Sequence, residues 1–199
     1  MGPEDDTLIH LNRAILLDPD KAEYYAYLGE FWRTTTSYDL AAENLSQALR
    51  LDPGLAAAYH FQGLLNQDLG LYREAIEDFD HAIKLDPNIA ATYEDRGNTY
   101  LLLGQNHRAI QDLNRAIALD PTLAKAHLSR GQAWLELSRY EAAITDLAEA
   151  IRLRPQLPGA FALRARALLA LGRDGEAAQD LERVKHALGL DYSGEWVPG

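Results

Sequence analysis

Residues 85–121 read LDPNIAATYEDRGNTYLLLGQNHRAIQDLNRAIALDP, a segment that opens on Leu85-Asp86-Pro87 and closes on Leu119-Asp120-Pro121. The same tripeptide stands at Leu17-Asp18-Pro19 and Leu51-Asp52-Pro53, and Leu153-Arg154-Pro155 repeats it with one change. Every step is 34 residues, so an internal period governs the whole reading. Glycine keeps time at Gly29, Gly63, Gly97 and Gly131, with Ala165 in the fifth place. Alanine forms one column at Ala41, Ala75, Ala109, Ala143 and Ala177, and another at Ala48, Ala82, Ala116 and Ala150, which closes on Val184.

Each column has a physical reason. Proline lacks a backbone N–H and drives the preceding residue out of the helical region, so it separates one helix from the next. The residues after it are Asp20, Gly54, Asn88, Thr122 and Gln156, most of them good N-caps for a following helix. A glycine inside a helix costs about 1 kcal/mol relative to alanine, which points to a place where two helix backbones approach closely. The alanine columns serve the same approach from the facing helix. Tyr25, Tyr59, Tyr93, His127 and Phe161, with Trp32, Tyr100 and Trp134, fill the space between. Midway through the unit, Gly70, Gly104 and Gly172, with Ser138 in register, read as left-handed helix C-caps.

The period therefore predicts two helices per unit: first helices near 21–34, 55–68, 89–102, 123–136 and 157–170, second helices near 38–51, 72–85, 106–119, 140–153 and 174–187. Residues 4–17 match only a second helix, through Leu11, Ala14, Leu17 and Pro19. They are read either as a capping helix or as the edge of a longer array.

The order of a large residue, glycine, an aromatic, alanine, a large apolar residue, alanine and proline, as in Tyr93, Gly97, Tyr100, Ala109, Leu113, Ala116 and Pro121, resembles the tetratricopeptide repeat family across residues 7–187. The resemblance implies an all-α fold, a right-handed superhelical solenoid of antiparallel helix pairs. It would comprise an N-terminal half-repeat at 1–19, five repeats at 20–53, 54–87, 88–121, 122–155 and 156–188, and a tail at 189–199. Each hairpin of such an array buries its apolar face only against neighbours.

Arg96, Arg130 and Arg164 share one column, and Asp112, Asp146 and Asp180 share another sixteen residues later. An arginine–aspartate pair is expected across each of these hairpins, orienting the helices. The first unit has Leu28 and Asn44 in these columns, and the second has Gln62 and Asp78.

Signals of chemistry are sparse. No phosphate loop, dinucleotide fingerprint or His-Glu-x-x-His pair occurs. No histidine has another three or four residues away, and the chain has no cysteine, so metal, cofactor and catalytic residues are all expected to be none. His127 falls in a packing column and reads as a core histidine, whereas His60 falls on the exposed face of a first helix. Glu94-Asp95 reads as a solvated face rather than an acid–base pair. Asn44-Leu45-Ser46 matches a glycosylation sequon but lies mid-helix and is discounted.

The hydrophobic content of 47% suffices for a core, and the net charge of -11 is unevenly spread. Residues 1–100 hold 18 acidic and 7 basic side chains, while residues 101–199 hold 12 of each. This serves solubility, or it favours a basic partner; it argues against nucleic acid and anionic membrane. No apolar run reaches the length of a membrane span, and Met1–Asp6 has no signal-peptide character, so a cytoplasmic protein is expected.

Function must then lie in residues that vary between repeats. The family resemblance implies a concave groove lined by first helices, here Glu23, Tyr27, Glu30, His60, Phe61, Leu64, Glu94, Asp95, Asn98, Leu101, Lys125, Leu128, Ser129, Gln132, Leu135 and Arg166. The apolar members either pad the next repeat or anchor a bound segment. A chaperone-tail clamp of the kind some relatives carry is not expected: only Asn98 matches it, with Glu94, Ser129, Gly159 and Leu163 at the other places. In the tail, Tyr192 and Trp196 either cap the last hydrophobic face or enter a groove. The reading is a non-enzymatic scaffold that binds a basic and apolar protein or peptide segment. The alternatives are a self-assembling, homo-oligomeric module or the repeat domain of a larger enzyme or regulator.

Overall fold

The computed structural model describes residues 3–187 and residue 189; the tail with Tyr192 and Trp196 lies outside the described residues. The chain divides into two compact units, Met1–Leu103 and Gly104–Gly199. The first holds α1 (Pro3–Leu17), α2 (Ala22–Thr34), α3 (Tyr38–Leu51), α4 (Ala56–Asp68), α5 (Tyr72–Leu85) and α6 (Ala90–Leu102). The second holds α7 (Asn106–Leu119), α8 (Ala124–Glu136), α9 (Tyr140–Leu153), α10 (Pro158–Ala170) and α11 (Asp174–Ala187). No strand occurs among the described residues, and none of their helices is long and apolar enough to cross a membrane.

The fold is all-α, with helices packed as consecutive pairs. In the first unit α2 packs on α3 and α4 on α5; in the second α8 packs on α9 and α10 on α11. The second helices of the five units start and stop at the positions that the period predicts, and the first helices start one residue later. Ala41, Leu45 and Ala48 of α3 are fully buried, as are Ala75, Phe79 and Ala82 of α5 and Ala143, Leu147 and Ala150 of α9. Trp32 packs against the Ala41–Leu45–Leu65 cluster, Tyr25 against Ala26, Ala48 and Ala58, and Trp134 against Leu147 and its neighbours.

The glycine column has a different cause from the one expected. A Cβ on Gly29 would stand 2.6 Å from Leu45 Cγ, on Gly63 2.6 Å from the Phe79 ring, and on Gly131 2.7 Å from Leu147 Cγ. The nearest backbone atoms, the carbonyl oxygens of Ala41 and Ala143, are farther off at 3.2 and 3.4 Å. Glycine therefore makes room chiefly for a large side chain of the facing helix.

The N-cap expectation is corrected. The N-caps of α2, α4, α6, α8 and α10 are Lys21, Leu55, Ile89, Leu123 and Leu157, and none makes a side-chain cap bond. The aspartate of Leu-Asp-Pro holds the turn instead. Asp52 Oδ1 accepts from the Gly54 N–H at 2.8 Å, and Asp86 Oδ1 from the Asn88 N–H at 2.9 Å. Asp120 Oδ1 accepts from the Thr122 N–H at 2.9 Å and from its hydroxyl at 2.6 Å. Asp thus bonds the backbone two residues on, as such turns require. Arg154 cannot do this, and Leu157 at the fifth turn has φ -121° where Leu123 has -72°.

The hairpin turns close as expected. Leu71 N–H reaches Asn66 O at 2.8 Å and Gly70 N–H reaches Gln67 O at 3.0 Å, the paired bonds of a Schellman motif, with Gly70 at φ +75°. Arg139 and Ser138, and Ser37 and Thr36, make the same pair of bonds. Thr36 and Ser138 must adopt φ +60° and +57° to do so. A β-branched residue is strained there, by roughly 1–2 kcal/mol. Thr36→Gly is expected to raise the melting temperature and Ser138→Gly to raise it less; a fall in either thermal melt would refute this account.

Candidate functional site

The variable face of the first helices is described in each unit by itself. In Met1–Leu103 it starts from Tyr27 on α2, which is 54% exposed although its neighbours Ala26 and Leu28 are buried. One helical turn on, Glu30 forms a paired bond with Arg33, Nε to Oε2 at 2.7 Å and NH2 to Oε1 at 2.8 Å. Arg33 NH1 also bonds Asp68 at the end of α4, so one guanidinium ties α2 to α4. These carboxylates hold the Arg33 guanidinium well above its ordinary range, and it is a fixed positive centre. Neither Arg33 nor Asp68 was anticipated as part of this face. The Glu30–Arg33 spacing was the available signal, since residues three apart are neighbours on a helix.

Aromatic contacts continue from this cluster onto α4. The Tyr27 and Phe61 ring centroids are 5.9 Å apart, tilted by 57°, and Phe61 lies 5.6 Å from the His60 ring. Phe61 also packs on two core clusters of this unit, against Ala26 and Ala58 and against Ala41 and Leu65. It therefore pads the hairpins and shows only part of its ring. His60 reaches α6: Nδ1 lies 3.1 Å from Thr92 Oγ1 and Nε2 3.5 Å from Asp95 Oδ2. Leu64, Asn98 and Leu101 are half-buried. Glu94 does not reach the exposed face. It is only 7% exposed, on the side of α6 that carries the buried Gly97 rather than on that of Thr92 and Thr99.

In Gly104–Gly199 the corresponding face is plainer. Lys125 and Gln132 of α8 are exposed, and Leu128 and Ser129 are half-buried, Leu128 against the Leu135–Leu147 core. Leu135 is itself buried and leaves the groove set, because it packs with Ala143 and Leu147. Arg166 of α10 pairs with Glu136 of α8 at 3.1 Å. His127 is buried as expected of a packing column: its Nε2 lies 3.2 Å from the Pro121 carbonyl and its Nδ1 3.5 Å from Asp146 Oδ1. The charge boundary follows the units. Residues 101–103 are leucines, so the whole excess negative charge of -11 belongs to Met1–Leu103.

Two half-buried groups of the first unit titrate in opposite senses. Burial, with help from Arg33, pushes His60 down to about 4 from 6.5. Burial pushes the Asp78 carboxyl up to about 6 from 3.8, against a hydrogen bond from Asn66. For His60 the unfolded chain binds the proton first, so acidification from pH 6.5 to about 4 withdraws stability. For Asp78 the folded chain binds it first, so acidification from about 6 to 3.8 adds stability. Relative to wild type, His60→Gln is expected to gain melting temperature over this acid window and Asp78→Asn to lose it. Both curves running parallel to wild type would refute the assignment.

Residues 56–89, 79–111 and 128–189 match family models described as tetratricopeptide repeat, and residues 97–138 one described as TPR repeat. A comparison with curated proteins gives no match. Solved structures share the fold. MamA of Desulfovibrio magneticus RS-1 superposes with a TM-score of 0.77 at 22% identity, covering 87% of this chain and 98% of its own. YrrB, described as a TPR protein with an unusual peptide-binding site, gives 0.72 at 20% identity, covering 92% and 93%. The pilF protein of Pseudomonas aeruginosa gives 0.79 at 20% identity, covering 85% and 77%.

Proposed function

Because this chain belongs to the tetratricopeptide repeat family, we propose that it is a non-enzymatic interaction scaffold whose first-helix face in Met1–Leu103 holds a basic and apolar segment of another protein. The observation that carries the reading is the exposed Tyr27 ring set against Phe61, beside the Glu30–Arg33–Asp68 charge cluster. A rigid aromatic next to fixed charges is the composition of an interaction anchor. The excess negative charge of this unit favours a basic partner and speeds its encounter. The peptide-binding site named for YrrB supports the same direction by analogy of fold. Asp95, Asn98 and Leu101 would extend the contact along α6, and Lys125, Ser129, Gln132 and Arg166 would make a separate contact in the second unit.

The test is selection from a random peptide library displayed against the full chain, followed by calorimetry on the enriched peptides. Enrichment of Lys or Arg beside Leu or Phe is expected, with affinity falling about tenfold in Tyr27→Ser, the loss typical of a contact residue. Enrichment of acidic peptides, or indifference to Tyr27→Ser, would sink the proposal.

One observation favours self-assembly as a second reading. On α1, Ile9, Leu16 and Leu17 are 49%, 83% and 80% exposed. The column of Ile9 holds Glu43, Glu77, Gln111, Thr145 and Gln179 in the other second helices, and that of Leu16 holds mainly Arg50, Lys84 and Arg152. Ile9 and Leu16 are thus apolar in mainly polar columns, which suits a contact between copies. Light scattering would then show an oligomer that Leu16→Glu dissociates; a monomer at all concentrations would exclude it.

A further inference from the structure

In the second unit, arginines of first helices sit in a repeated slot. Arg130 Nε and NH2 bond Asp146 Oδ2 and Oδ1, sixteen residues on, at 2.8 and 2.6 Å. Its NH1 donates to Asn114 Oδ1, sixteen residues back, at 2.7 Å. Arg164 grips Asp180 with the same two bonds at 2.8 and 2.6 Å. In the first unit, Arg96 NH1 bonds Asp80, again sixteen residues back. Arg130 thus sits between one acceptor on its own second helix and one on the preceding second helix, Arg164 makes the first of these contacts and Arg96 the second.

The α4–α5 hairpin keeps the receptor without the arginine. Gln62 stands in the arginine column, Asp78 in the aspartate column, and Ser46 of α3 in the column of the preceding acceptor. Gln62 is too short and neutral to replace a guanidinium, and it makes no bond to Asp78. The Asp78 carboxylate accepts one bond, from Asn66 Nδ2 to Oδ2 at 2.7 Å, which leaves Oδ1 open. Its half-buried site and the neighbouring Glu74 and Glu77 all disfavour the free carboxylate, with His81 opposing them. A cation at this point would relieve that cost. Arginine fits better than lysine, because a planar fork matches a carboxylate bidentately.

We propose that Ser46, Gln62 and Asp78 form a binding slot for an arginine side chain of a basic partner segment, on the second-helix side of the first unit and apart from the Tyr27 face. The full chain would be titrated with acetyl-tetra-arginine amide and acetyl-tetra-lysine amide by calorimetry. Tetra-arginine is expected to bind about tenfold tighter than tetra-lysine, the scale of one charge-assisted bidentate contact. Asp78→Asn should weaken tetra-arginine about tenfold by the same measure, and Gln62→Arg, which supplies the missing guanidinium from within, should do likewise while raising the melting temperature. Glu77→Gln removes the same charge from an exposed neighbour and should change affinity less than about twofold. Equal losses in Glu77→Gln and Asp78→Asn would reduce the effect to diffuse charge and overturn the slot. So would unchanged binding in Gln62→Arg. Loss in Tyr27→Ser with none in Asp78→Asn would place the peptide on the first-helix face instead, leaving the proposed scaffold standing and the slot refuted.

Discussion

Arg130→Ala is expected to lower the stability of the second unit by about 3–5 kcal/mol, the cost of leaving one partner of a buried ion pair alone. Asp146 is only 5% exposed and takes both of its strong hydrogen bonds from Arg130. Without the guanidinium, its nearest polar neighbour is His127 Nδ1 at 3.5 Å. Arg139, nine residues on, is exposed and is the N-cap of α9 without a side-chain cap bond. Arg139→Ala should therefore shift the melting temperature by little. Equal shifts in the two variants would show that the pair contributes nothing. The double variant Arg130→Met/Asp146→Leu is expected to recover much of the loss, because apolar isosteres remove the unpaired charge along with the bond. The pair then orients α8 on α9 more than it adds net stability.

Gly63→Ala should be nearly as damaging, at about 1–3 kcal/mol, although alanine is the better helix former by about 1 kcal/mol. The new methyl would lie 2.6 Å from one Phe79 ring carbon and 2.7 Å from another. Phe79 is fully buried and cannot swing out of the way. Gly175→Ala is the control: no atom lies within 4 Å of its Cβ position, so propensity alone acts and a small gain is expected. Opposite signs for one substitution in two helices can be read from thermal melts of the single variants. A gain in Gly63→Ala would mean that Phe79 relaxes and that the column is not set by packing.

These two outcomes separate what is legible in the residues from what is not. Helix number, second-helix boundaries and turn positions follow from the 34-residue spacing of proline, glycine and alanine, because those residues act on the backbone locally. The Arg130–Asp146 and Arg164–Asp180 pairs were also legible, as two columns sixteen residues apart. The candidate face was less so. Glu94 reads as exposed by column but is buried, and Leu135 joins the core. The Arg33–Asp68 tie crosses from α2 to α4 at a separation of 35 residues, and no local signal marks it.

Proline spacing, the small-residue columns and the acidic first half were thus determined by the amino acids alone, since each acts through its own backbone or charge. Only the tertiary structure decided that glycine yields to a side chain, that the aspartate before proline holds the turn, and that the excess charge ends where the first compact unit ends. It also decided that Asp78 takes its hydrogen bond from Asn66. These depend on which atoms meet between helices, and a periodic sequence specifies that helices meet without specifying which side chain fills the space between them.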